Sequence, residues 1–510
     1  MEPLSLEKLC LSSIVNNFNI FNYAYSTSED APLLRNLQFL QKRYSTYLIE
    51  NLSETKNLKS EYVKFLVNKY LKEFDFYKFL SLTCWEELTE RVVEIAEGLL
   101  KVKFGARMFK EHRKKVQEII ERLQNVECLC LYIPFEYDGI MEYISKCCPY
   151  LKELDLQHND YISDKSLRTL CSVGFPSLRV LRLDNVKIRD ETIIFILKNM
   201  PFLEVFNTPY LTRALYCFHK KDLAENKLHA VQKYSLTELA VHYAGREQEK
   251  CLSILTVLCP EIKKLYCPVD NKVSIDLCSK FLKLEELELI SIHDRNSKKL
   301  LSSSGVNPYQ LNPMKLNKFL KIRGKNLTSL FIHGLAVSTS LLIQNCQKLE
   351  KLNLSEIDFH YEKNSCVPPL KYLKLLRIST DTDSSYIISP TAAESLSLIL
   401  DSSPNIERLY INCLKILSDF QLRNTILKHC ELNTLKYLDF SWSDVDVNFS
   451  ALILKSCLSL QKMEVTLSNG KGVSSEEFEI LAQIASDTKN SPKIQWYDID
   501  KNILKQSWIM

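Results

Sequence analysis

From residue 126 onward one short pattern of apolar and polar positions keeps returning. An apolar residue is followed by two mostly polar ones, an apolar residue, a variable one and a third apolar residue. It reads VECLCL at 126–131, LKELDL at 151–156, LRVLRL at 178–183, LEVFNT at 203–208, LTELAV at 236–241 and IKKLYC at 262–267. It continues as LEELEL at 284–289, LTSLFI at 327–332, LEKLNL at 349–354, LKYLKL at 370–375, IERLYI at 406–411, LKYLDF at 435–440 and LQKMEV at 460–465. Nine of the twelve spacings between these frames lie between 21 and 29 residues, the period of a leucine-rich repeat. A strand alternates its side chains, so the second and third apolar residues of a frame point inward together while their neighbours face solvent. Between frames the apolar spacing turns helical, as at Leu167, Leu170 and Cys171 or Ile193, Ile194 and Leu197. Asp164 and Asp190 stand where the N-caps of those two helices belong. One such unit cannot bury its own apolar face, whereas stacked units make a continuous core.

A second regularity lies three residues before the first apolar position. Cys148, Cys259, Cys346 and Cys457 occupy that slot, and Phe175, Met200, Phe281 and Val367 fill it elsewhere. A slot that accepts these types is buried and apolar, and a thiol there behaves as a small hydrophobe. With these cysteines, residues 123–470 resemble the cysteine-containing leucine-rich repeats of F-box and related ubiquitin-ligase receptors. The resemblance implies an α/β fold: a leucine-rich-repeat solenoid, horseshoe-shaped, with a parallel sheet on its concave side and helices outside. It bears on fold rather than function.

The frame is interrupted at 209–234, which inserts a further helical piece, at 290–326, and at 376–405 with its polar run STDTDSSYIISP. Such insertions are expected as surface loops. PKIQWYDID at 492–500 reads as a last strand that caps the array, giving an array domain of 121–510. Residues 1–120 show no frame and read as a helical N-terminal region, through YVKFLVNKYLKEF (62–74), WEELTERVVEIAEGLLKVKF (85–104) and ARMFKEHRKKVQEIIERL (106–123).

The first stretch of that region, PLSLEKLCLSSIVNNF (3–18), reads as an amphipathic helix with Ser5 as N-cap and Leu6, Leu9, Cys10, Ile14 and Phe18 along one face. Ser5-Leu6, then Cys10, then Ile14 resembles the elongin-binding box: a small or hydroxyl residue, Leu, three residues, Cys, three residues, an aliphatic. The resemblance implies that Leu6 and Cys10, supported by Ile14, enter a pocket of elongin C and through elongin B and C recruit a cullin scaffold. A cullin-selecting box that should follow, opening Leu-Pro, is matched only approximately by Ala31-Pro32-Leu33-Leu34 with Leu37 behind. The structural alternative is a capping helix that buries Leu6, Cys10 and Ile14 against the first repeat. An F-box within 60–110 is a further alternative, although the Leu-Pro opening is missing there.

Composition narrows the chemistry. Only 10 of 510 residues are glycine, and no phosphate-cradling glycine loop, G-x-S-x-G or H-E-x-x-H stands in the chain. No catalytic residue, metal or cofactor is expected. Lys+Arg at 66 against Asp+Glu at 62 gives +4, too even to imply nucleic acid or an anionic membrane. The 17 cysteines follow no disulfide framework, and the opening MEPLSLEKLC does not read as a secretory signal, so reduced thiols in the cytoplasm or nucleus are expected. Cys128, Cys130, Cys147 and Cys148 invite a zinc reading, but the frame sends Cys128 and Cys130 outward and Cys148 inward. The basic run Arg107, Lys110, His112, Arg113, Lys114 and Lys115 is interspersed with Glu111 and Glu118 and reads as a solvated face.

The expected activity is therefore binding. The chain reads as the substrate-recognition subunit of a cullin-RING ubiquitin ligase, or else as a repeat scaffold with no ligase role. Aromatics at outward strand positions make the expected target-binding column: Tyr266, Phe331, Tyr372, Tyr410 and Tyr437.

Overall fold

The computed structural model describes residues 6–27, 29–80, 82–135, 139–173, 175–241, 247–269, 275–291, 313–360, 367–379, 390–412, 420–431, 434–440, 445–467, 475–488 and 492–498. Ser5, most of the 290–326 interruption and residues 380–389 of the STDTDSSYIISP run lie outside them. The chain folds as two compact units, one of residues 2–242 with 257–261, the other of residues 243–256 with 262–510.

In the first unit the strands β1 (Glu73–Asp75), β2 (Lys101–Phe104), β3 (Cys128–Leu131), β4 (Glu153–Asp155), β5 (Val180–Arg182), β6 (Val205–Asn207) and β7 (Glu238–Ala240) pair in chain order, every pair parallel. The second unit begins with β8 (Lys264–Val269), β9 (Glu286–Ser291), β10 (Ser329–His333), β11 (Ala336–Ser338), β12 (Lys351–Ser355) and β13 (Asp358–His360). It continues with β14 (Leu375–Ser379), β15 (Arg408–Asn412), β16 (Tyr437–Phe440), β17 (Lys462–Leu467) and β18 (Lys493–Asp498). These too run parallel in chain order, except that β11 and β13 make a small parallel ladder of their own. Parallel neighbours require a crossover, and here turns and helices supply it. Each unit is thus a stretch of α/β solenoid.

The core follows the frame. Leu151, Leu154 and Leu156 are sealed from solvent, as are Leu349, Leu352 and Leu354 in the other unit. Each such side chain contributes up to about 1.5–3 kcal/mol by leaving water. The slot residues Cys148, Cys259, Cys346 and Cys457 are buried, with Phe175, Met200 and Phe281. The slot also closes a turn: its carbonyl accepts the amide of the first apolar residue, as Cys148 does from Leu151 (3.3 Å), Cys346 from Leu349 (3.2 Å) and Cys457 from Leu460 (3.2 Å). At 151–159 the frame is completed by Asn159. Its Nδ2 donates to the carbonyls of Leu131 (2.8 Å) and Leu156 (2.7 Å), and its Oδ1 accepts the Ile133 amide, so one fully buried side chain ties two turns of chain together.

That turn signature corrects the sequence reading at two places. The frame assigned to LKYLKL at 370–375 is displaced by three residues. β14 is Leu375–Ser379, Leu376 and Ile378 are the inward residues, and the Leu373 amide bonds the Leu370 carbonyl (3.3 Å). Leu370, rather than Val367, fills the buried slot, and Val367 is half-buried. KYLKLLRI satisfies either reading alone, and the register Leu352↔Leu376 decides.

The second correction concerns residues 1–120. LKEFDF at 71–76 and LLKVKF at 99–104 are frames whose inward residues, Phe74 with Phe76 and Val102 with Phe104, are buried; the Leu71 and Leu99 amides bond Asn68 and Ala96 in the same turn (both 3.1 Å). The ladder therefore begins at residue 73, well before residue 121. The helices expected across 62–74 and 85–104 shrink to Val63–Leu66 and Trp85–Ile95, because aromatic residues at alternating positions favour the strand.

Asp164 and Asp190 sit inside the first turns of their helices rather than capping them: Arg189 precedes the second helix, and Ser163 Oγ accepts the Ser166 amide (3.2 Å) in the first. Each Asp instead pairs forward with the next repeat, Asp164 with Arg189 (2.8 Å) and Asp190 with Arg213 (2.9 Å). The piece inserted after residue 209 is the helix Leu211–Ala224, held by buried His219 between Asp222 and the Tyr234 hydroxyl (both 3.0 Å).

Candidate functional site

The N-terminal segment folds as α1 (Leu6–Asn16), α2 (Phe18–Thr27) and α3 (Ala31–Glu54). Among the described side chains of α1, Leu11 and Val15 are buried; those of Leu6 and Leu9 lie outside the described ones. Cys10 is exposed and Ile14 half-buried. At 3.6 residues per turn the Leu6, Cys10 and Ile14 positions centre about 120° away from the buried pair. The face expected to carry Phe18 is therefore split. Asn17 interrupts the helix, and Phe18 opens α2 and turns inward, edge-on to Tyr62 (4.8 Å) and Phe65 (5.5 Å). Glu7 fixes α1 to α3 through the Tyr44 hydroxyl (2.5 Å) with Arg43 at 3.8 Å. At the start of α3, Pro32 stands in the first turn, Leu33 is exposed, Leu34 half-buried and Leu37 buried. Ile20, Tyr23 and Phe39 are also exposed on these helices.

The second candidate surface is the outward side of the strands. Ladder registers run Tyr266↔Glu288↔Phe331↔Asn353↔Arg377↔Tyr410↔Asp439 in one row and Arg408↔Tyr437↔Lys462 in the row beside it. The five expected aromatics do not make one column. Tyr372 lies in the turn before β14, 59% exposed, and its expected outward place on the strand belongs to Leu375 and Arg377. Tyr266 and Phe331 are half-buried and separated from the others by polar positions. Only Tyr410 and Tyr437 touch, with ring centroids 5.1 Å apart. The Arg377 guanidinium stacks 4.2 Å from the Tyr410 centroid and Lys462 lies 5.4 Å from that of Tyr437. Burial and a hydrogen bond to Glu464 hold the Tyr437 phenol protonated well above its ordinary range. The cation–π stacking was not legible from residue types, because it depends on Arg377 and Tyr410 sharing a register position.

The cysteines take divided positions. Cys128 and Cys130 are half-buried on the outward side of β3, whereas Cys148 is enclosed. Burial pushes the Cys128 thiol up to about 11 and those of Cys130 and Cys148 to about 12, so all three stay protonated near neutrality. Along the basic run, Arg107 pairs with Glu111 (2.9 Å) and Lys115 with Glu118 (3.1 Å). Among the described residues no helix is long and apolar enough to cross a membrane.

Residues 147–171 match the family model described as Leucine Rich repeat, the segment that holds the Cys148 slot, β4 and Asn159. No curated protein matches the sequence. Among solved structures, a chain of the Rad7 and Elc1 complex in yeast is similar with a TM-score of 0.43 and 13% identity, over 96% of this chain and 97% of that one. An internalin from Listeria monocytogenes is similar with a TM-score of 0.26 and 13% identity, over 74% of this chain and 77% of that one.

Proposed function

We propose that this leucine-rich-repeat protein is an adaptor: the substrate-recognition subunit of a cullin-RING ubiquitin ligase, recruited through elongin B and C. α1 is the docking element, with Leu6 and Cys10 as anchors and Ile14 in support, and the outward side of the sheet receives the protein to be modified. The observation that carries this reading is the division of labour on α1. The helix is held to the fold by Leu11 and Val15, so Cys10 is left in solvent, and half of Ile14 with it. A purely capping helix would direct Cys10 and Ile14 into the repeats. An amphipathic helix that keeps Cys10 and Ile14 off its buried face suits helix-in-groove recognition, read from anchors one turn apart. Leu33, exposed at the head of α3, stands where a second, cullin-selecting contact belongs. On this reading ubiquitin transfer is carried out by the partners and this chain performs no chemistry of its own.

The test is capture of purified elongin B/C by the tagged chain, beside a Leu6→Ala/Cys10→Ala double variant. Capture by the native chain and at least tenfold weaker capture by the variant, with unchanged circular dichroism and melting, is the expected result. A well-folded native chain that captures nothing would leave a repeat scaffold without a ligase role.

A further inference from the structure

The outward side of the second unit is not uniformly charged. Across β12, β14 and β15 the outward positions are Lys351, Asn353, Ser355; Leu375, Arg377, Ser379; and Arg408, Tyr410, Asn412. Three are cations and none is a carboxylate. Lys351 and Arg408 are exposed and, among the described residues, neither is held by an acidic side chain. Two strand spacings, across Leu375 of β14, place them about 10 Å apart. On one side lies β10 with outward Ser329, Phe331 and His333, and beyond it Glu286 and Glu288 on β9; on the other, Asp439 and Glu464 lie on β16 and β17, both nearly buried, Glu464 gripped by Lys462 (2.5 Å). At the strand entrances Lys374 and Glu350 offset one another in charge. Beside the cations the Tyr410–Tyr437 pair offers an apolar surface, and the Arg377 guanidinium lies over the Tyr410 ring.

We infer that this patch binds a short acidic segment of a protein partner, two or three carboxylates next to one aromatic or aliphatic side chain. The carboxylates meet Lys351 and Arg408, and the apolar side chain packs on Tyr410 and Tyr437. The Arg377 guanidinium over the Tyr410 ring adds positive charge between them. The patch is short: a nucleic-acid backbone needs a long run of cations, and here the outward cations give way to Ser329, Phe331 and His333 on β10 and to Glu286 and Glu288 on β9. The inference rests on the reading that the sheet receives the target, and is independent of elongin docking.

The experiment uses the full chain and fluorescence anisotropy of a fluorescein-labelled peptide, Gly-Ser-Glu-Glu-Phe-Glu-Ser-Gly. The same peptide with Lys for Glu and a thymidine 20-mer serve as comparisons. Expected are preference for the acidic peptide, weakening as salt rises, and at least a tenfold loss of affinity in Arg377→Glu/Arg408→Glu. Tyr410→Ala should weaken binding several-fold and Lys187→Glu, in the other unit, should not. If the double reversal does not fold, Arg408→Gln, at an exposed position, should still weaken binding measurably. Absence of binding, equal binding of the lysine peptide, tighter binding of the oligonucleotide, or indifference to folded variants would overturn the inference. Peptide binding without elongin capture would remove the ligase reading alone, and capture without peptide binding would remove this one alone.

Discussion

At the residue scale, one backbone position recurs two residues after the third apolar residue of a frame. His158, Asn185, Gly334 and Glu356 all have left-handed φ there, between 51° and 68°. The turn is shared because the amide at that point reaches the neighbouring repeat: His158 donates to the Asp184 carbonyl, Gly334 to Ser355 and Glu356 to Ser379, each at 2.9 Å. A side chain with a Cβ is disfavoured in this conformation by roughly 1–2 kcal/mol. Glu356→Gly should therefore raise stability by about 0.5–1 kcal/mol in urea denaturation, after the entropy that glycine adds to the unfolded chain. Gly324 occupies the buried slot before Leu327, where an added Cβ would meet Cys346 Sγ at 2.8 Å and the Asn345 carbonyl at 3.0 Å. Gly324→Ala should cost about 1–3 kcal/mol in the same assay. Asn159→Ala strands a buried amide and two carbonyls and should cost about 2–4 kcal/mol. Burial raises the Asp446 carboxyl, but the Phe449 amide and the Arg423 guanidinium outweigh it and hold it below the ordinary value. Its contribution is present above the ordinary aspartate pKa of about 3.9 and is lost as pH falls through the lower folded value. Acid denaturation of Asp446→Asn should show a shallower loss of stability over that interval.

At the element scale, α1 has a buried face and an open one, and substitutions should separate them. Leu11→Ala, on the buried face, is expected to lower the melting temperature, costing about 2–3 kcal/mol if α1 unfolds with the rest. Cys10→Ser should leave stability within about 0.5 kcal/mol of native, as surface changes do. If both variants melted alike, the separation of faces would be wrong. The β14 element shows the limit of pattern. With leucines at 370, 373, 375 and 376 the local sequence accepts either of two frames three residues apart, and a three-residue slip moves Tyr372 from strand to turn. Pairing with β12 resolves it, since Lys351 through Ser355 must each find a partner from Leu375 through Ser379.

At the scale of the whole chain, the ladder's early start changes what can be removed. Phe74, Phe76, Val102 and Phe104 are buried, with the Phe76 and Phe104 rings stacked at 5.1 Å, and β2 pairs along the whole of β3. A chain beginning at residue 121 would bare that edge and the apolar faces behind it, and an open edge over an exposed core invites aggregation. It should express largely insoluble, whereas the full chain, which keeps β1, β2 and the helices packed on Tyr62 and Phe65, should stay soluble with a native circular dichroism spectrum. Equal solubility of the two would put the start of the array back at 121.

The sequence by itself determined the repeat. A period set by burying three apolar residues per turn is local and redundant, so the strands, the buried cysteine slot and the parallel solenoid were legible in leucine spacing alone. It also held, at Leu6, Cys10 and Ile14, a string of residue types that resembles an elongin-binding box. The frames at 71–76 and 99–104 are masked in the sequence, because phenylalanine and valine stand at their inward positions and helical stretches surround them. Only the tertiary structure decided which face of α1 is spent on the core, because 3.6-residue periodicity marks an apolar stripe without saying what covers it. Only strand register could split the expected aromatic column and set Arg377 against Tyr410, since residues that meet across a ladder are separated by a full repeat of chain.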